Sequence, residues 1–483
     1  MAKNKKNIWL IILLLSAIFI SVFFSYRLLD VPTGLTVDES DFGYNAAIIS
    51  HTGRDENNRF LPVFAITKTG NDWRQPITQY FLVILFKVFR PSVWLLRFSS
   101  IIITIISTFL LLYLAKKLLG LTGGIFSVLV FLTTPLIMIQ SHMGLDNIMV
   151  IPFTILWLIF IYLHEKTGNN KFLILAGISM GIGFYTYKGM RATVPVWCVL
   201  TVLYLFYKSK YNLKKSISSI LYYSLSFFPF IAIIPLLQWK YAGAVFDRQG
   251  AVFDTVYNFI YPYISSYDFG FLFIKGDDLL FHSTLTHGMM LLSTLPLFLI
   301  GVYQAIKKGK YWGFIVIAFF TAPMLYGFVN SVHRASRLMA IIPEYTLFTG
   351  LGATFLWQYK NKLFGRLVIF VISILAIINY SNFLNYYWYT YPKFSENIFG
   401  HMTPYKSYEV FAREAKNRKL TPYIAEGVGE NFFKAIYFPD GIEQIKSDVP
   451  SPKGSILMTF RQQVPEMEKL NVSMPTYHLQ VRY

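Results

Sequence analysis

Apolar runs long enough to cross a lipid bilayer recur from residue 8 to residue 388, and no other feature restricts the fold as severely. A bilayer core offers no water to backbone amides and carbonyls, so each run must close its own hydrogen bonds as a helix of roughly 20 residues. Read this way, the spans are 8–24, 94–115, 121–141, 147–164, 171–187, 192–208, 217–238, 284–305, 311–329, 337–358 and 366–388. The expected fold class is a polytopic α-helical membrane protein with about 11 transmembrane helices. Mean hydropathy of +0.46, with only 14% charged residues, excludes an ordinary soluble domain. A further apolar run, "PITQYFLVILFKVF" at 76–89, is short and carries Lys87. It reads as an interfacial or re-entrant helix in the first external loop, because counting it as a span would invert every loop after it.

The lysines give the orientation. With the spans above, Lys3, Lys5 and Lys6 share a side with Lys116 and Lys117, then Lys166 and Lys171, and then the clusters at 207–215, 307–310 and 359–366. Basic short loops stay in the cytoplasm, so the N-terminus is expected there, in a multi-pass protein of the cell membrane. The loops 25–93 and 239–283 then face outward, as does the tail from residue 389. The net charge of +19 belongs to these short clusters, which face anionic membrane lipids; nucleic acid is not an expected partner. The first apolar run continues to Phe24 without a small-x-small cleavage site and reads as an uncleaved anchor. Cys198 is the single cysteine, so no intrachain disulfide forms.

Two domains are expected, a membrane domain over 1–388 and a small extracytoplasmic α/β domain over 389–483. In the tail, "YKSYEVFAREAKNRK" and "ENFFKAIYF" have helical spacing, and "PYIAEGVG", "GSILMTF" and "TYHLQVRY" read as strands. Asn471, Val472 and Ser473 match a glycosylation sequon, a pattern short enough to arise by chance.

Against this orientation, two outward loops carry paired cations where the charge rule disfavours them. One holds Lys188 and Arg191, the other His333, Arg334 and Arg337. Snorkelling at helix ends is one account; a pocket for an anionic group, for which arginine suits phosphate, is the other. On an ideal helix Arg337, Ile341, Glu344 and Phe348 share a stripe, with Glu344 roughly 10 Å below Arg337. Glu344 is therefore either half of a buried ion pair or a functional carboxylate.

The first loop supplies the acidic counterpart, "GLTVDESDFGYNAAIISHTGRD". Residues 39–50 can form an amphipathic helix capped by Asp38. Capping explains one carboxylate and leaves the Asp38–Glu39 pair available to take a proton from an acceptor hydroxyl. His142 and Asp146 stand four apart at a helix junction, where Asp146 reads as a cap or a pocket residue. Asp277, Asp278, His282 and His287 cluster in the second long loop, and the first three are candidate ligands for a divalent metal, the one cofactor left open.

Taken in order, these segments resemble the C superfamily of membrane glycosyltransferases, and within it the protein O-mannosyltransferase and lipid A aminoarabinose transferase group. The resemblance covers about residues 8–358. It rests on "VDESDFGYNAA", "RQPITQYF" with "WLLRFSSII", "TTPLIMIQSHMGLDN", "FYTYKGMRATVP", "FLFIKGDDLLFHST" and "HRASRLMAIIPEY". It implies a polyprenyl-phosphate sugar as donor, an acceptor hydroxyl on a lipid, protein or glycan, and inversion at the anomeric carbon. By this resemblance Asp38 is the candidate base, with Glu39 beside it. Lys188, Arg191, Arg334 and Arg337 are candidates for the donor phosphate. Asp277 and His282 complete the pocket or hold a metal, Asp146 and His333 belong to the pocket, and Glu344 joins the pocket candidates on its depth alone. Phe281 stands where the resemblance leads one to expect a basic residue, and Glu344 lies outside its pattern. An oligosaccharide ligase using a lipid-linked glycan is the nearest alternative, and a transporter or flippase the alternative from another class.

Overall fold

The computed structural model describes the chain except residues 1, 68–71, 247–254, 396–397, 402, 429–430, 473 and 475–476, so Ser473 of the sequon lies outside the described residues. Two compact units form. One comprises Met1–Leu28, Gln75–Thr78 and Arg97–Lys393; the other comprises Leu29–Arg74, Gln79–Leu96 and Phe394–Tyr483.

The first unit is helical. Among the described residues, seven stretches are long and apolar enough to cross a membrane: Val93–Thr133, Asn147–Thr167, Met190–Lys208, Lys214–Lys240, Lys310–Phe328, Ala335–Trp357 and Leu363–Ser395. Shorter apolar helices run Ile11–Phe24 and Lys171–Gly183, as does Pro76–Val88, most of which belongs to the second unit. The polytopic helical class is therefore present, while length alone does not establish the expected eleven.

Proline and glycine account for the departures. The expected spans 94–115 and 121–141 meet without a loop: Val93–Thr133 is interrupted only at Gly120, whose φ of 78° and ψ of 178° are non-helical. The run stops at Thr133 because Pro135 disfavours helical geometry at the residue before it, and Thr134 is extended (φ −69°, ψ 119°). The expected span 284–305 is helical only over Leu295–Lys308, preceded by a short 3₁₀ turn at Leu292–Thr294. The expected span 337–358 divides into a 3₁₀ segment, Ala335–Ile341, and an α-helix, Ile342–Trp357, with Pro343 in its first turn. Three residues per turn before Ile342 and 3.6 after it break the stripe expected to link Arg337 with Glu344.

Close packing holds these helices together. A Cβ added at Gly301 would lie 1.8 Å from the Phe348 carbonyl oxygen, and one at Gly352 would lie 1.9 Å from that of Leu297. The helices Leu295–Lys308 and Ile342–Trp357 thus meet backbone to backbone, as small residues permit in lipid. Indole N–H groups bridge others: Trp157 donates to Thr201 Oγ1 and Trp197 to the Ala318 carbonyl, each at 3.1 Å. Arg97 is fully buried and donates to the Leu28 carbonyl at 2.9 Å.

The second unit joins parts of the first long loop to the tail. Its five-stranded sheet runs in the order Glu443–Ile445, Thr421–Ala425, Ser455–Thr459, His478–Arg482, Glu468–Lys469. The first three strands are parallel, with Tyr423 opposite Leu457, and the last two pair antiparallel. Ser455–Thr459, central in the sheet, is buried at every position. Helices Thr403–Arg418 and Asn431–Tyr437 complete the small α/β fold expected of the tail. The helix Val37–Thr52 packs on Asn431–Tyr437 at Gly43, where an added Cβ would meet the Phe432 ring at 2.7 Å. Phe42, Ala46, Leu82 and Phe86 share one core with Phe432, Phe433 and Leu457. A short antiparallel pair, Gly34–Leu35 with Gly400–His401, joins the same two segments.

Candidate active site

In the second unit the acidic cluster lies on the first turn of Val37–Thr52. The N-cap is Thr36, not Asp38 as expected. Thr36 Oγ1 accepts from the Glu39 amide at 3.0 Å, and Glu39 Oε2 accepts from the Thr36 amide at 3.0 Å. This reciprocal capping box satisfies two amides at the helix start, and it binds the fully buried Glu39 into the backbone.

Asp38 is differently placed. Its side chain is 58% exposed and meets Arg74, whose guanidinium is only 6% exposed; Nη1 donates to Asp38 Oδ1 at 2.6 Å. Arg74 Nη2 donates to Asp41 Oδ2 at 2.9 Å. Asp38 and Asp41 share a helical face at i, i+3, so one arginine holds both. Burial pushes the Asp41 carboxyl above its ordinary range, and the Arg74 charge opposes that shift. The Arg74 guanidinium also lies 5.5 Å from the centre of the Phe42 ring. Arg74 and Asp41 were not among the residues expected from sequence to act here. The visible signals were the i, i+3 spacing of the aspartates and the place of Arg74 at the head of the motif "RQPITQYF", but nothing in the sequence paired the two.

In the membrane unit, Asp277 organises the 334–335 turn. This buried carboxylate accepts from the amides of Ala335 (2.6 Å) and Leu279 (2.8 Å) and from Arg334 Nη1 (3.3 Å). Tyr326 OH donates to the Arg334 carbonyl. His333 adopts a left-handed φ of 48°, stacks on Phe271 and approaches Asp278 at 3.4 Å. Arg337 is half-buried one turn further on.

Arg191 Nη1 donates to the carbonyls of Ala244 (2.8 Å) and Val245, and Nη2 donates to Gln75 Oε1. Its guanidinium therefore braces the 244–245 turn, with Asp146 in electrostatic range. Asp146 occupies the N-cap of the 3₁₀ turn Asn147–Met149 but makes no side-chain cap bond, so capping does not account for it. Lys188 is half-buried in the turn before Met190–Lys208. His282 Nδ1 meets Gln140 Nε2 at 2.9 Å, and Gln140 Oε1 accepts from Asn147 at 3.3 Å. Glu344 is fully buried, and among the described residues neither carboxylate oxygen has a hydrogen-bond partner, so the anticipated pair with Arg337 is not formed.

The three residues considered for a metal are engaged separately. Asp277 accepts three N–H donors, Asp278 faces His333 and His282 faces Gln140. Among the described residues no three His, Cys, Asp or Glu side chains converge as a metal site, and the arrangement does not fit one.

Residues 74–239 match the family described as dolichyl-phosphate-mannose-protein mannosyltransferase. No curated protein sequence matches the chain significantly. In fold, the chain is similar to ArnT from Cupriavidus metallidurans in the apo state, with a TM-score of 0.59 at 11% identity over 99% of this chain and 98% of that one. The same protein bound to undecaprenyl phosphate aligns with a TM-score of 0.58 at 11% identity, over 98% of this chain and 97% of that one. The Archaeoglobus fulgidus oligosaccharyltransferase, tethered to an acceptor peptide, aligns at 0.50 and 11% identity over 89% of this chain and 63% of its own. These are membrane glycosyltransferases of the C superfamily, the group the motifs resemble.

Proposed function

We propose that the chain is an inverting glycosyltransferase that moves a sugar from a polyprenyl-phosphate donor to an acceptor hydroxyl on the extracytoplasmic face of the cell membrane. The observation that carries this reading is the contrast between two neighbouring carboxylates. Glu39 is tied into its own helix cap, whereas Asp38 is open to solvent and oriented by a buried arginine. A carboxylate held by one oxygen and otherwise exposed is arranged to receive a proton. The motif order, the mannosyltransferase match over residues 74–239 and the fold likeness to a protein that binds undecaprenyl phosphate support the lipid-phosphate donor.

In the proposed reaction Asp38 takes the acceptor hydroxyl proton as that oxygen bonds to the anomeric carbon. The bond from this carbon to the phosphate oxygen breaks, configuration inverts, and polyprenyl phosphate leaves with the electron pair. Arg334, Arg337, Lys188 and Arg191 are assigned to the donor phosphate, where fixed cations stabilise the growing charge. Within that set the guanidinium of Arg191 also braces two carbonyls and Gln75, and Arg334 is held by Asp277. Asp277 acts through Arg334 as a positioning residue. The acceptor is a lipid, protein or glycan, and transfer of a whole lipid-linked glycan is the same chemistry on a larger donor. The lysine-rich short loops support a cytoplasmic N-terminus, with the segment after residue 389 outside.

Purified protein in liposomes, given a panel of polyprenyl-phosphate sugars and mixed acceptors, tests the proposal by release of free polyprenyl phosphate. Wild type is expected to turn over and Asp38→Asn to lose at least about 100-fold. Equal turnover in both would overturn the assignment of the base. Lipid movement without sugar transfer would overturn the enzyme class.

A further inference from the structure

Two cavities in the membrane unit meet at Leu291, and neither is lined by a residue used in the proposed transfer. The larger, about 320 Å³, is a groove beside the helix Leu363–Asn385. Its walls are apolar, with Leu129, Leu356, Ile369, Ile372 and Ala376 among them. From Ile369 to Tyr380 it follows one helix for about 16 Å at 1.5 Å per residue. That length matches one leaflet, half of a hydrocarbon core about 30 Å thick. Protein buries only 6% of the apolar window of this helix, so hydrocarbon chains are what the groove meets.

The chemistry changes where the groove ends. The second cavity, about 220 Å³, is lined by Thr286, His287, Asn379 and Asn382 together with apolar groups. Asn382 Nδ2 lies 3.2 Å from His287 Nε2, and Thr286 Oγ1 lies 3.0 Å from His287 Nδ1. Asn379 Oδ1 accepts from the Ser293 amide at 3.3 Å. Among the described residues lining the two cavities there is no Lys, Arg, Asp or Glu.

We propose that the two cavities form one site for a membrane lipid with an uncharged, hydroxyl-bearing head. Its hydrocarbon chain lies in the groove, and its head group hydrogen-bonds with Asn379, Asn382 and their neighbours. A phosphate head there would meet no counter-charge from the lining, whereas a hydroxyl finds hydrogen-bond partners in it. The site therefore selects against the phosphate-bearing donor class and is separate from the cations assigned to it. It stands or falls independently of sugar transfer.

The test uses the full chain in phosphatidylcholine nanodiscs. Diacylglycerol and phosphatidic acid carry the same photoactivatable acyl chain, and labelled peptides are mapped. Diacylglycerol is expected to label residues 369–380 about fivefold more than phosphatidic acid, the worth of roughly one net hydrogen bond. Ala376→Trp fills the groove and should abolish that labelling, whereas Ile374→Trp, on the exposed side of the same helix, should leave it unchanged. Ser373→Phe is a smaller filling that should lower labelling if Ala376→Trp does not fold. Asn382→Leu should bring the two lipids to equal labelling while keeping the groove occupied. Equal labelling by both lipids in wild type would overturn the head-group selection. Labelling that survives Ala376→Trp, or falls equally in Ile374→Trp, would overturn the groove.

Discussion

Replacing Arg74 by methionine keeps much of the side chain's apolar bulk while removing the charge that Asp38 and Asp41 share. The two arms of this fork should differ in energy because they differ in burial. Arg74 is 6% exposed and Asp41 17%, which places that arm between an exposed pair, at most about 1 kcal/mol, and a fully buried pair, where loss of one partner costs about 3–5 kcal/mol. About 2 kcal/mol is the expected coupling. The Asp38 arm, with a carboxylate 58% exposed, should contribute no more than about 0.5 kcal/mol. Double-mutant cycles of Arg74→Met with Asp41→Asn and with Asp38→Asn, read by unfolding in detergent–SDS mixed micelles, measure the two couplings separately. Activity should show the reverse order. Loss of the proposed base costs about 100-fold or more, whereas Asp41→Asn should cost less than about tenfold. A larger stability coupling for Asp38 than for Asp41, or equal loss of activity in the two Asn variants, would refute the division of the fork into a structural arm and a catalytic arm.

Asp41 also makes a pH prediction. Its carboxyl is raised above 3.8 chiefly by burial, so its contribution to stability is present below that value and declines as pH rises through the raised folded value. Asp41→Asn should flatten that decline in a stability–pH profile, and an unchanged profile would assign the titration elsewhere. Glu344→Leu removes a buried carboxylate whose oxygens have no hydrogen-bond partner among the described residues and should stabilise the protein by about 1–3 kcal/mol in the same micelle assay, with destabilisation refuting the prediction. Gly352→Leu should destabilise by about 1–3 kcal/mol or more because its Cβ meets the Leu297 carbonyl. Gly313→Leu, which meets nothing within 4 Å, is the matched control, and equal losses in the two would refute the close-approach account.

Hydropathy made the membrane helices legible because lipid imposes one solution on a long apolar run. Their interruptions were not read: the spans 121–141 and 337–358 were expected to run unbroken through Pro135 and Pro343, and such residues say where a helix can break but not what geometry replaces it. The Arg337–Glu344 stripe failed for that reason: a 3₁₀ turn before Pro343 changes the rotation per residue. In the tail, the strands Thr421–Ala425, Ser455–Thr459 and His478–Arg482 could be read from alternation and β-branched content. The edge strands Glu443–Ile445 and Glu468–Lys469 are short and exposed, and carry no periodic signal. Asp38 and Glu39 look equivalent in the sequence. Only the reciprocal bonds of Thr36 separate them, and those depend on where the helix begins. The Arg74 fork depends on contacts that close a loop of more than 30 residues, which local pattern does not encode.

The packing of Val37–Thr52 on Asn431–Tyr437 has a consequence in time. Phe432, which fits against Gly43, is 389 residues later in the chain. At roughly 5–20 residues per second of synthesis, the earlier helix waits about 20–80 s for its partner while the intervening membrane segments are made. During that interval the apolar face bearing Phe42 and Ala46 has no final cover. The intervening membrane segments are thus made well before this pair of helices can close, and a late-made helix completes an early one.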